Sequence, residues 1–314
     1  MHTLAVVAAL LGAGAAATFI GVRLIERAHP PRGRFVEVGG LRQHVVELGE
    51  HTADPDTPAI VLLHGAGCNL EDMRLALGNH FAARYRVILL DRPGLGWSER
   101  GRGEGGSPTY QAAMLNAVLE RLDVKRAIVV GHSWGGLLAL TFALDHPQRA
   151  AGLVVIAPPT HPWLGHSTWL NSAFGIPVFG WLFAHTLTLP FGALLIAPGF
   201  RNAFRPQSLP SGYMKRTSAR LLLRPATLLA NAADIAGLKA FLRRQAERYR
   251  TLGAPLIIIT GDRDTIVSPQ HHAMRLAAAV SGAKLEVLPG FGHLLHHAAA
   301  DRVVAAVEEL MGRA

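Results

Sequence analysis

Short apolar runs, bounded by turn residues, alternate along this chain with stretches of helical pattern. The apolar runs are Ala59–Leu63, Val87–Leu90, Ala127–Val130, Leu153–Ile156, Leu256–Ile259 and Leu285–Leu288. The helical stretches are about Glu71–Arg84, Thr109–Leu122, Gly135–Leu144, Gln270–Val280 and Ala298–Met311. Runs of this length and apolarity are typical of parallel strands buried on both faces. The alternation therefore predicts an α/β fold with a mostly parallel central sheet and helices on both of its faces.

Composition and the start of the domain are consistent with this architecture. The chain has 314 residues, of which 50% are hydrophobic and 17% charged, which excludes an intrinsically disordered protein. Phe35–Val38 and His44–Leu48, separated by two glycines, predict a hairpin ahead of the alternating elements. The net charge of +9 comes from scattered arginines without basic runs. We therefore expect no nucleic-acid partner.

A long interruption separates the fourth parallel strand from the fifth. About 95 residues follow Pro158 before the next strand-like run, which is too many for an ordinary loop. We therefore expect an inserted helical lid, here called the lid segment (residues 159–253), between two parts of the core, residues 29–158 and 254–314. Its prolines, Pro177, Pro190, Pro198 and Pro210, are expected to divide it into short helices.

The first half of the lid segment lacks formal charge. No Asp, Glu, Lys or Arg occurs between Ala150 and Phe200, a stretch of 51 residues. A second membrane span is the alternative explanation, but the prolines and histidines of this stretch argue against it. We favour an apolar lid over a hydrophobic pocket, able to touch a bilayer.

Residues 1–28 are predicted to form an N-terminal membrane helix leading into a linker. Leu4–Val22 contains no charged residue, and a helix from His2 to Val22 is about 30 Å long, enough to cross the hydrocarbon core. Arg23, Arg27 and two further arginines follow, which predicts a cytoplasmic location for the rest of the chain. Two alternatives remain open: a signal peptide cleaved after secretion, and a helix buried in the domain.

A G-x-S-x-G motif lies directly between a predicted strand and a predicted helix. Its residues are Gly131, Ser133 and Gly135. Glycines at these positions permit a strained strand-to-helix turn that projects the serine hydroxyl over the edge of the sheet. The motif in this context indicates a nucleophilic serine.

A serine hydroxyl needs a general base, and the base needs an acid that orients it. Asp262 and Asp264 follow one late strand, and His293 lies in a glycine-rich loop after the next strand. Because ligand sites in open α/β sheets lie at the carboxyl ends of strands, these loops are expected to converge on Ser133. Either aspartate is compatible with this role, and the other is expected to form a turn.

From about Gly33 onward the chain resembles the α/β-hydrolase superfamily, specifically its lid-bearing esterase, lipase and cofactor-free haloperoxidase-like branch. The motifs that carry the resemblance are, in family order, His64–Gly65–Ala66–Gly67, Asp91–Arg92–Pro93–Gly94–Leu95–Gly96–Trp97–Ser98, Gly131–His132–Ser133–Trp134–Gly135, Gly261–Asp262–Arg263–Asp264 and Gly292–His293. The resemblance implies a catalytic triad of Ser133, Asp264 and His293, with Asp264 preferred over Asp262. It also implies an oxyanion hole formed by the backbone N–H groups of Ala66 and Trp134.

The identity of the nucleophile restricts the chemistry. Relatives that are haloalkane dehalogenases or epoxide hydrolases carry an aspartate at the position of Ser133. A serine leaves acyl chemistry open in general, and the apolar lid favours hydrolysis of lipophilic carboxylic esters as the expected function. Alternatives are other Ser-His-Asp chemistry (C–C bond hydrolysis, lactone hydrolysis, acyl transfer or perhydrolysis) and a non-catalytic accessory protein.

We expect no cofactor and no metal, since the adjacent pairs His271–His272 and His296–His297 are not expected to point the same way. Cys68 is expected to be a packing residue. The expected partners are a small lipophilic ester and, through the N-terminal helix, membrane lipid.

Overall fold

The computed structural model describes residues 2–49, 57–101, 103–163 and 176–313. Its centre is an eight-stranded sheet in the order β1-β2-β4-β3-β5-β6-β7-β8. The strands are β1 (Arg34–Val38), β2 (Leu41–Leu48), β3 (Ala59–Leu63), β4 (Val87–Leu90), β5 (Ala127–His132), β6 (Ala150–Ile156), β7 (Leu256–Gly261) and β8 (Lys284–Leu288). Strand β2 pairs antiparallel with β1 and β4, and the pairs from β4 to β8 are parallel. The predicted fold class is therefore confirmed.

Helices precede β1, follow β8 and occupy each connection from β3 onward. They are α1 (His2–Ala28), α2 (Leu70–Met73), α3 (Asn79–Ala82), α4 (Pro108–Arg121), α5 (Trp134–Asp145), α6 (Pro177–Thr186), α7 (Thr188–Phe204), α8 (Tyr213–Arg216), α9 (Pro225–Ala236), α10 (Leu238–Ala246), α11 (Ala273–Ala279) and α12 (Ala300–Met311). The helix predicted at about Glu71–Arg84 is interrupted, because a π-helical turn at Arg74–Gly78 separates α2 from α3.

The core consists of two apolar layers, one on each face of the sheet. Val61 and Val129 face the layer that contains α4 and α5. Ile60 and Val130, their neighbours along β3 and β5, face the layer that contains α12. Because successive side chains of a strand point to opposite faces, a continuous apolar run buries both faces. Because β5, β7 and β8 run parallel in the sheet, their carboxyl ends lie at one edge.

Two prolines of the lid segment do not end helices, contrary to the sequence-based expectation. Pro190 lies in the first turn of α7, where a missing N–H costs nothing, and Pro198 lies inside the same helix. Tertiary packing holds the helix past Pro198, because Phe200 and Phe204 both contact the ring of Tyr213. The division occurs instead at Leu187, where α6 and α7 meet at 79°. Residues 164–175 of the lid segment lie outside the described residues.

Helix α1 is, within the described part of the chain, the one continuous helix long and apolar enough to cross a membrane. Only 6% of the most apolar 18-residue stretch of α1 is buried inside the structure, which distinguishes α1 from a core helix of the domain. One side packs on the lid segment: a side chain at Gly14 would overlap the carbonyl oxygen of Thr186, and one at Gly21 would overlap Leu189. A membrane anchor and a signal sequence both have this length and composition.

Candidate active site

Ser133 lies in a sharp turn between β5 and α5. Its backbone has φ 52° and ψ −120°, a conformation that non-glycine residues rarely adopt. The Ser133 N–H donates to the Ile156 carbonyl at 2.8 Å, which holds the turn against the neighbouring strand. Strain of this kind is characteristic of the serine turn that projects a hydroxyl above an α/β sheet.

The glycines around Ser133 are needed because backbone passes too close for a side chain. A Cβ at Gly131 would overlap the carbonyl oxygen of Gly135, and a Cβ at Gly135 would overlap that of Leu63. Gly65 is also close, since a Cβ there would lie 3.2 Å from that of Ser133. The loop after β3 is thereby packed directly against the serine turn.

His293 and Asp264 form a buried pair at the same edge of the sheet. The Nδ1 atom of His293 lies 2.7 Å from Asp264 Oδ2, and their side chains are 8% and 0% exposed. The other carboxylate oxygen of Asp264 accepts hydrogen bonds from the N–H groups of Ile266 and Val267, at 2.8 and 2.9 Å. The His293 ring lies 4.8 Å from that of His132, the residue before Ser133. This arrangement can orient an imidazole with its Nδ1 protonated.

Asp262 has a different role in the structure. Its Oδ1 accepts a hydrogen bond from the Gly290 N–H at 2.6 Å, which ties the loop after β7 to the loop after β8. The residue pattern alone was compatible with either aspartate as the acid that orients the histidine. In the structure, Asp264 is the one beside His293.

A cavity of about 520 Å³ opens over Ser133. Ala66 and Trp134, the two residues expected to form the oxyanion hole, line it together with Ser133. The other lining residues come from the lid segment and from the loop after β7: Pro159, Trp163, Ile235, Leu238, Thr265, Ile266, Val267, Ser268, His271 and His272. Three of the five residues predicted for catalysis thus line this cavity, and the other two, Asp264 and His293, form their pair next to His132, the neighbour of Ser133.

His64 holds the loop that carries Ala66. Its Nε2 accepts the N–H of Arg92 at 3.0 Å, so the opposite nitrogen, Nδ1, donates to the Gly65 carbonyl at 2.8 Å. Burial, followed by the positive charge of Arg92, lowers the pKa of His64 to about 4. This histidine is therefore neutral at physiological pH, and its two hydrogen bonds hold the loop in place.

Arg92 and Asp234 were given no role by the sequence analysis, although these two residues connect the site to the lid segment. Their side chains form a fully buried ion pair at 2.7 Å. The Arg92 guanidinium also lies over the Trp134 ring, 4.0 Å from its centroid. Asp234 could have been found from the sequence, because it is the one acidic residue between Asp145 and Glu247.

A second buried polar cluster lies behind the serine turn. The Asp72 carboxylate accepts from the Tyr213 hydroxyl at 2.6 Å and contacts His297 Nε2 at 2.8 Å and His296 Nε2 at 3.1 Å. The charges and hydrogen bonds of the two histidines hold the pKa of Asp72 well below its ordinary value despite burial. The expectation that the adjacent pair His296–His297 cannot point the same way is thus wrong. Both residues lie on a 3₁₀ turn, and their Nε2 atoms reach different oxygens of the one carboxylate, His296 bonding Oδ2 and His297 bonding Oδ1.

This cluster reaches the predicted catalytic histidine through His132. The His132 Nε2 donates to the backbone carbonyl of His293 at 3.0 Å, and its ring lies 4.3 Å from that of His296. Within the described part of the chain, Asp72, His132 and His296 are the group whose spacing would suit a metal, with ligand atoms within 4.8 Å of one another. The Nε2 atoms of His132 and His296 are hydrogen-bonded, whereas the buried Nδ1 atoms of both rings have no partner among the described residues.

Cys68 follows the loop after β3. Burial, with a further contribution from Asp72, raises the pKa of its thiol well above the ordinary value. A protonated thiol is a weak nucleophile, which agrees with the expected packing role.

Comparison with known proteins identifies the class that this fold and site define. The family model for the α/β hydrolase fold matches residues 58–300. The chain therefore belongs to the α/β hydrolase fold family.

Similar proteins in the family are named for different activities. The chain is 29% identical over 301 residues to the dihydrolipoyllysine-residue acetyltransferase component of an acetoin cleaving system from Pseudomonas putida, covering 91% of this chain and 71% of that protein. It is 27% identical over 299 residues to haloalkane dehalogenase 2 of Mycobacterium tuberculosis, covering 90% and 96%. It is also 27% identical over 273 residues to a 2-hydroxy-6-oxononadienedioate/2-hydroxy-6-oxononatrienedioate hydrolase of Cupriavidus pinatubonensis, covering 83% and 88%.

A solved structure shares the fold. An α/β hydrolase fold protein from Burkholderia ambifaria superposes with a TM-score of 0.72 at 24% identity, covering 88% of this chain and 96% of the other. The family and the fold are thus common to proteins of several activities, and the substrate has to be argued from the site.

Proposed function

We propose that this protein is a serine hydrolase that cleaves carboxylic esters of lipophilic substrates through an acyl-enzyme. The observation that carries the proposal is the buried Asp264–His293 pair beside the strained Ser133 turn. Asp264 holds Nδ1 of the His293 imidazole, as the acid of a triad must, and the turn presents the Ser133 hydroxyl at the cavity.

In the proposed reaction, the Ser133 hydroxyl attacks the ester carbonyl and transfers its proton to Nε2 of His293. The imidazolium is stabilised by Asp264, whose second oxygen is already engaged by two backbone N–H groups. The protonated histidine then gives its proton to the departing alcohol. Water, activated by the same imidazole, hydrolyses the acyl-enzyme and regenerates the serine.

The negative charge that develops on the carbonyl oxygen needs fixed donors. We assign this role to the backbone N–H groups of Ala66 and Trp134, which belong to the two chain segments packed against each other at Gly65. The hydrogen bond from His64 to the Gly65 carbonyl and the contact of Arg92 with the Trp134 ring hold these segments in place. Donors fixed before the reaction lose little free energy to reorganisation.

The lining of the cavity favours a neutral, lipophilic substrate. Trp163, Ile235, Leu238 and Ile266 contribute apolar surface, and no Lys or Arg occurs among the described residues that line it. Burying a carboxylate of the substrate without a cationic partner would be costly. This argues against a dicarboxylate substrate such as the one in the name of the Cupriavidus relative.

We also propose that α1 anchors the protein in a membrane with the hydrolase domain on the cytoplasmic side. The low burial of α1, its length, and the arginines that follow it support this arrangement. The apolar helices α6 and α7 pack on α1, so the lid segment would lie at the bilayer, where lipophilic esters concentrate.

The proposal is tested by labelling the full-length protein with a fluorophosphonate probe. Ser133→Ala should abolish labelling and ester turnover while the protein stays folded. Ser268→Ala is the matched control, because Ser268 lines the same cavity and should leave labelling intact. Labelling of folded Ser133→Ala would contradict the assignment, and a wild-type protein that never labels would indicate a non-catalytic accessory role.

Other chemistry on the same three residues is the second candidate, favoured by the acetyltransferase and the 2-hydroxy-6-oxo-acid hydrolase among the relatives. Product analysis separates the two candidates. Esters of increasing acyl length, a lactone and a diketone are offered with and without an alcohol acceptor. Preferential hydrolysis of esters supports the first proposal, whereas cleavage of the diketone or transfer to the alcohol supports the second.

A further inference from the structure

A second and larger cavity lies away from Ser133. Its volume is about 860 Å³; it is open to the outside on one side and is bordered by α1, by the lid segment and by the loop that follows β4. Helix α9 separates it from the active-site cavity: Ala226 and Ala230 line the second cavity, whereas Ile235, at the other end of the helix, lines the first. The volume is within the range of about 300–1,000 Å³ that is usual for small-molecule sites.

Close helix packing fixes the wall of this cavity. At Gly14 and Gly21 the backbone of α1 approaches the lid segment so closely that a side chain would overlap Thr186 or Leu189. Small residues at such contacts are typical of helices that associate within membranes. Between and beyond these contacts, Phe19 and Val22 of α1 line the cavity.

The interior is apolar, and its charges are balanced. Phe19, Val22, Trp97 and Trp181 contribute apolar surface. The four charged residues of the lining each have an opposite partner, in the pairs Glu26–Arg224 at 3.5 Å, Glu99–Arg42 at 2.8 Å and Arg100–Asp234 at 2.9 Å. Because these charges are already compensated, the cavity suits a neutral ligand.

One polar atom in this lining is unsatisfied. Thr18 is 3% exposed, and its hydroxyl oxygen has no hydrogen-bond partner among the residues that the structure describes. A buried hydroxyl without a partner is unfavourable. A rotation of the Thr18 side chain toward the cavity would let its hydroxyl pair with a hydroxyl or carbonyl group of a bound molecule.

We propose that this cavity binds a neutral, single-chain amphiphile whose alkyl chain packs against Phe19, Val22 and the two tryptophans and whose hydroxyl or carbonyl group pairs with Thr18. The site does not depend on the proposed esterase activity. The same ligand chemistry has two possible sources: a resident lipid of the bilayer around α1, or a lipophilic ester on its way to Ser133.

The test uses the full chain in phosphatidylcholine nanodiscs and a photoactivatable monoacylglycerol that carries a diazirine on its acyl chain. Labelling of peptides that contain residues 94–100 and 225–230 should be saturable and should be displaced by 1-oleoylglycerol. Labelling by bulk lipid on the exposed face of α1 is not saturable. Absence of saturable labelling on those peptides would overturn the proposal.

Matched variants separate occupancy of the cavity from contact with α1 in general. Ala15→Phe should fill the cavity and reduce saturable labelling at least fivefold, whereas Ala16→Phe, at the exposed neighbouring position outside the lining, should leave it unchanged. Ala226→Phe fills the cavity from the opposite wall and should repeat the result. Equal labelling of the Ala15 and Ala16 variants would contradict the assignment.

Two further arms test recognition and source. Thr18→Val should weaken binding of the monoacylglycerol severalfold while leaving binding of a diazirine-bearing alkane unchanged; an equal effect on both would refute the polar contact.

A non-hydrolysable ether analogue, offered to the fluorophosphonate-blocked protein, measures occupancy of the cavity without turnover. If Ala15→Phe also lowers kcat/KM for a bilayer-borne ester but not for a short soluble ester, the site lies on the substrate route. If both kcat/KM values are unchanged while labelling falls, it holds a resident lipid.

Discussion

Arg92 and Asp234 join the loop after β4 to the lid segment through an ion pair whose two side chains are fully buried. Asp234 also pairs with Arg100 at 2.9 Å, and Gln111 donates to Asp234 and accepts from Arg92. The carbonyl of Asp234 accepts the indole N–H of Trp134 at 3.4 Å. Through its carboxylate and its backbone carbonyl, Asp234 therefore connects α9 with both the core and the residue after the proposed nucleophile.

Asp234→Asn should destabilise the protein by about 3–5 kcal/mol, because it leaves the buried Arg92 cation without its counter-charge. Urea unfolding in a non-ionic detergent measures the change. Glu247→Gln, an exposed acidic position in the same lid segment, is the control and should change stability by less than about 0.5 kcal/mol. Equal effects of the two substitutions would show that the ion pair does not hold the lid segment.

Asp264→Asn should lower kcat on an ester by about 10³–10⁴-fold, because the amide cannot stabilise the His293 imidazolium and favours the wrong tautomer. Asp262→Asn should cost far less, since among the described residues its carboxylate bonds the Gly290 N–H rather than His293. Steady-state kinetics on one soluble ester compare the two. Losses of similar size, or the reverse order, would mean that the acid has been assigned to the wrong aspartate.

His293→Ala should reduce kcat as severely as Ser133→Ala. His296→Ala and His297→Ala should retain most of the activity, because these side chains bond Asp72 rather than the reacting groups. Circular dichroism checks that each variant is folded. An inactive but folded His296→Ala enzyme would place this histidine in the catalytic machinery, contrary to the assignment.

Acid should destabilise the folded protein between pH 6.5 and about 4. Burial lowers the pKa of His64 from its ordinary 6.5 to about 4, so in this range the unfolded chain binds a proton that the folded chain does not. Each such histidine contributes a loss of about 1.4 kcal/mol per pH unit as pH falls, and the loss ends below the folded pKa.

Unfolding free energies measured at several pH values test this linkage. His64→Gln should flatten the pH dependence by about one proton. His80→Gln, an exposed histidine on α3, should leave it unchanged. An unaltered slope in the His64 variant would show that this residue is not held neutral in the folded protein.

Full-length protein should pellet with membranes, resist extraction by high salt and be protected from external protease in spheroplasts. A variant that begins near Pro30 should be soluble, because it lacks the apolar surface of α1. Recovery outside the cytoplasm without residues 1–17 would identify a cleaved signal peptide instead. Soluble, intact full-length protein would mean that α1 belongs to the fold.

The sequence by itself determined the architecture and the candidates for catalysis. Continuous apolar runs such as Ala59–Leu63 have one stable placement, buried on both faces, and this requires a sheet covered by helices on each side. The glycines around Ser133 indicated the sharp turn because only residues without a side chain permit such a close approach. These inferences succeeded because they rest on local periodicity and steric limits, which operate between residues near each other in the chain.

Only the tertiary structure decided which groups meet across long separations. The choice of Asp264 for His293 needed the relative position of two loops, since the spacing of residues within one loop suits either aspartate. The continuation of α7 past Pro198 depends on aromatic packing against Tyr213, which offsets a local preference to end the helix. The pairing of Arg92 with Asp234, 142 residues apart, was likewise invisible to periodicity. Physical chemistry requires that a buried charge be paired with an opposite charge, but only the folded chain shows which residue lies within reach of it.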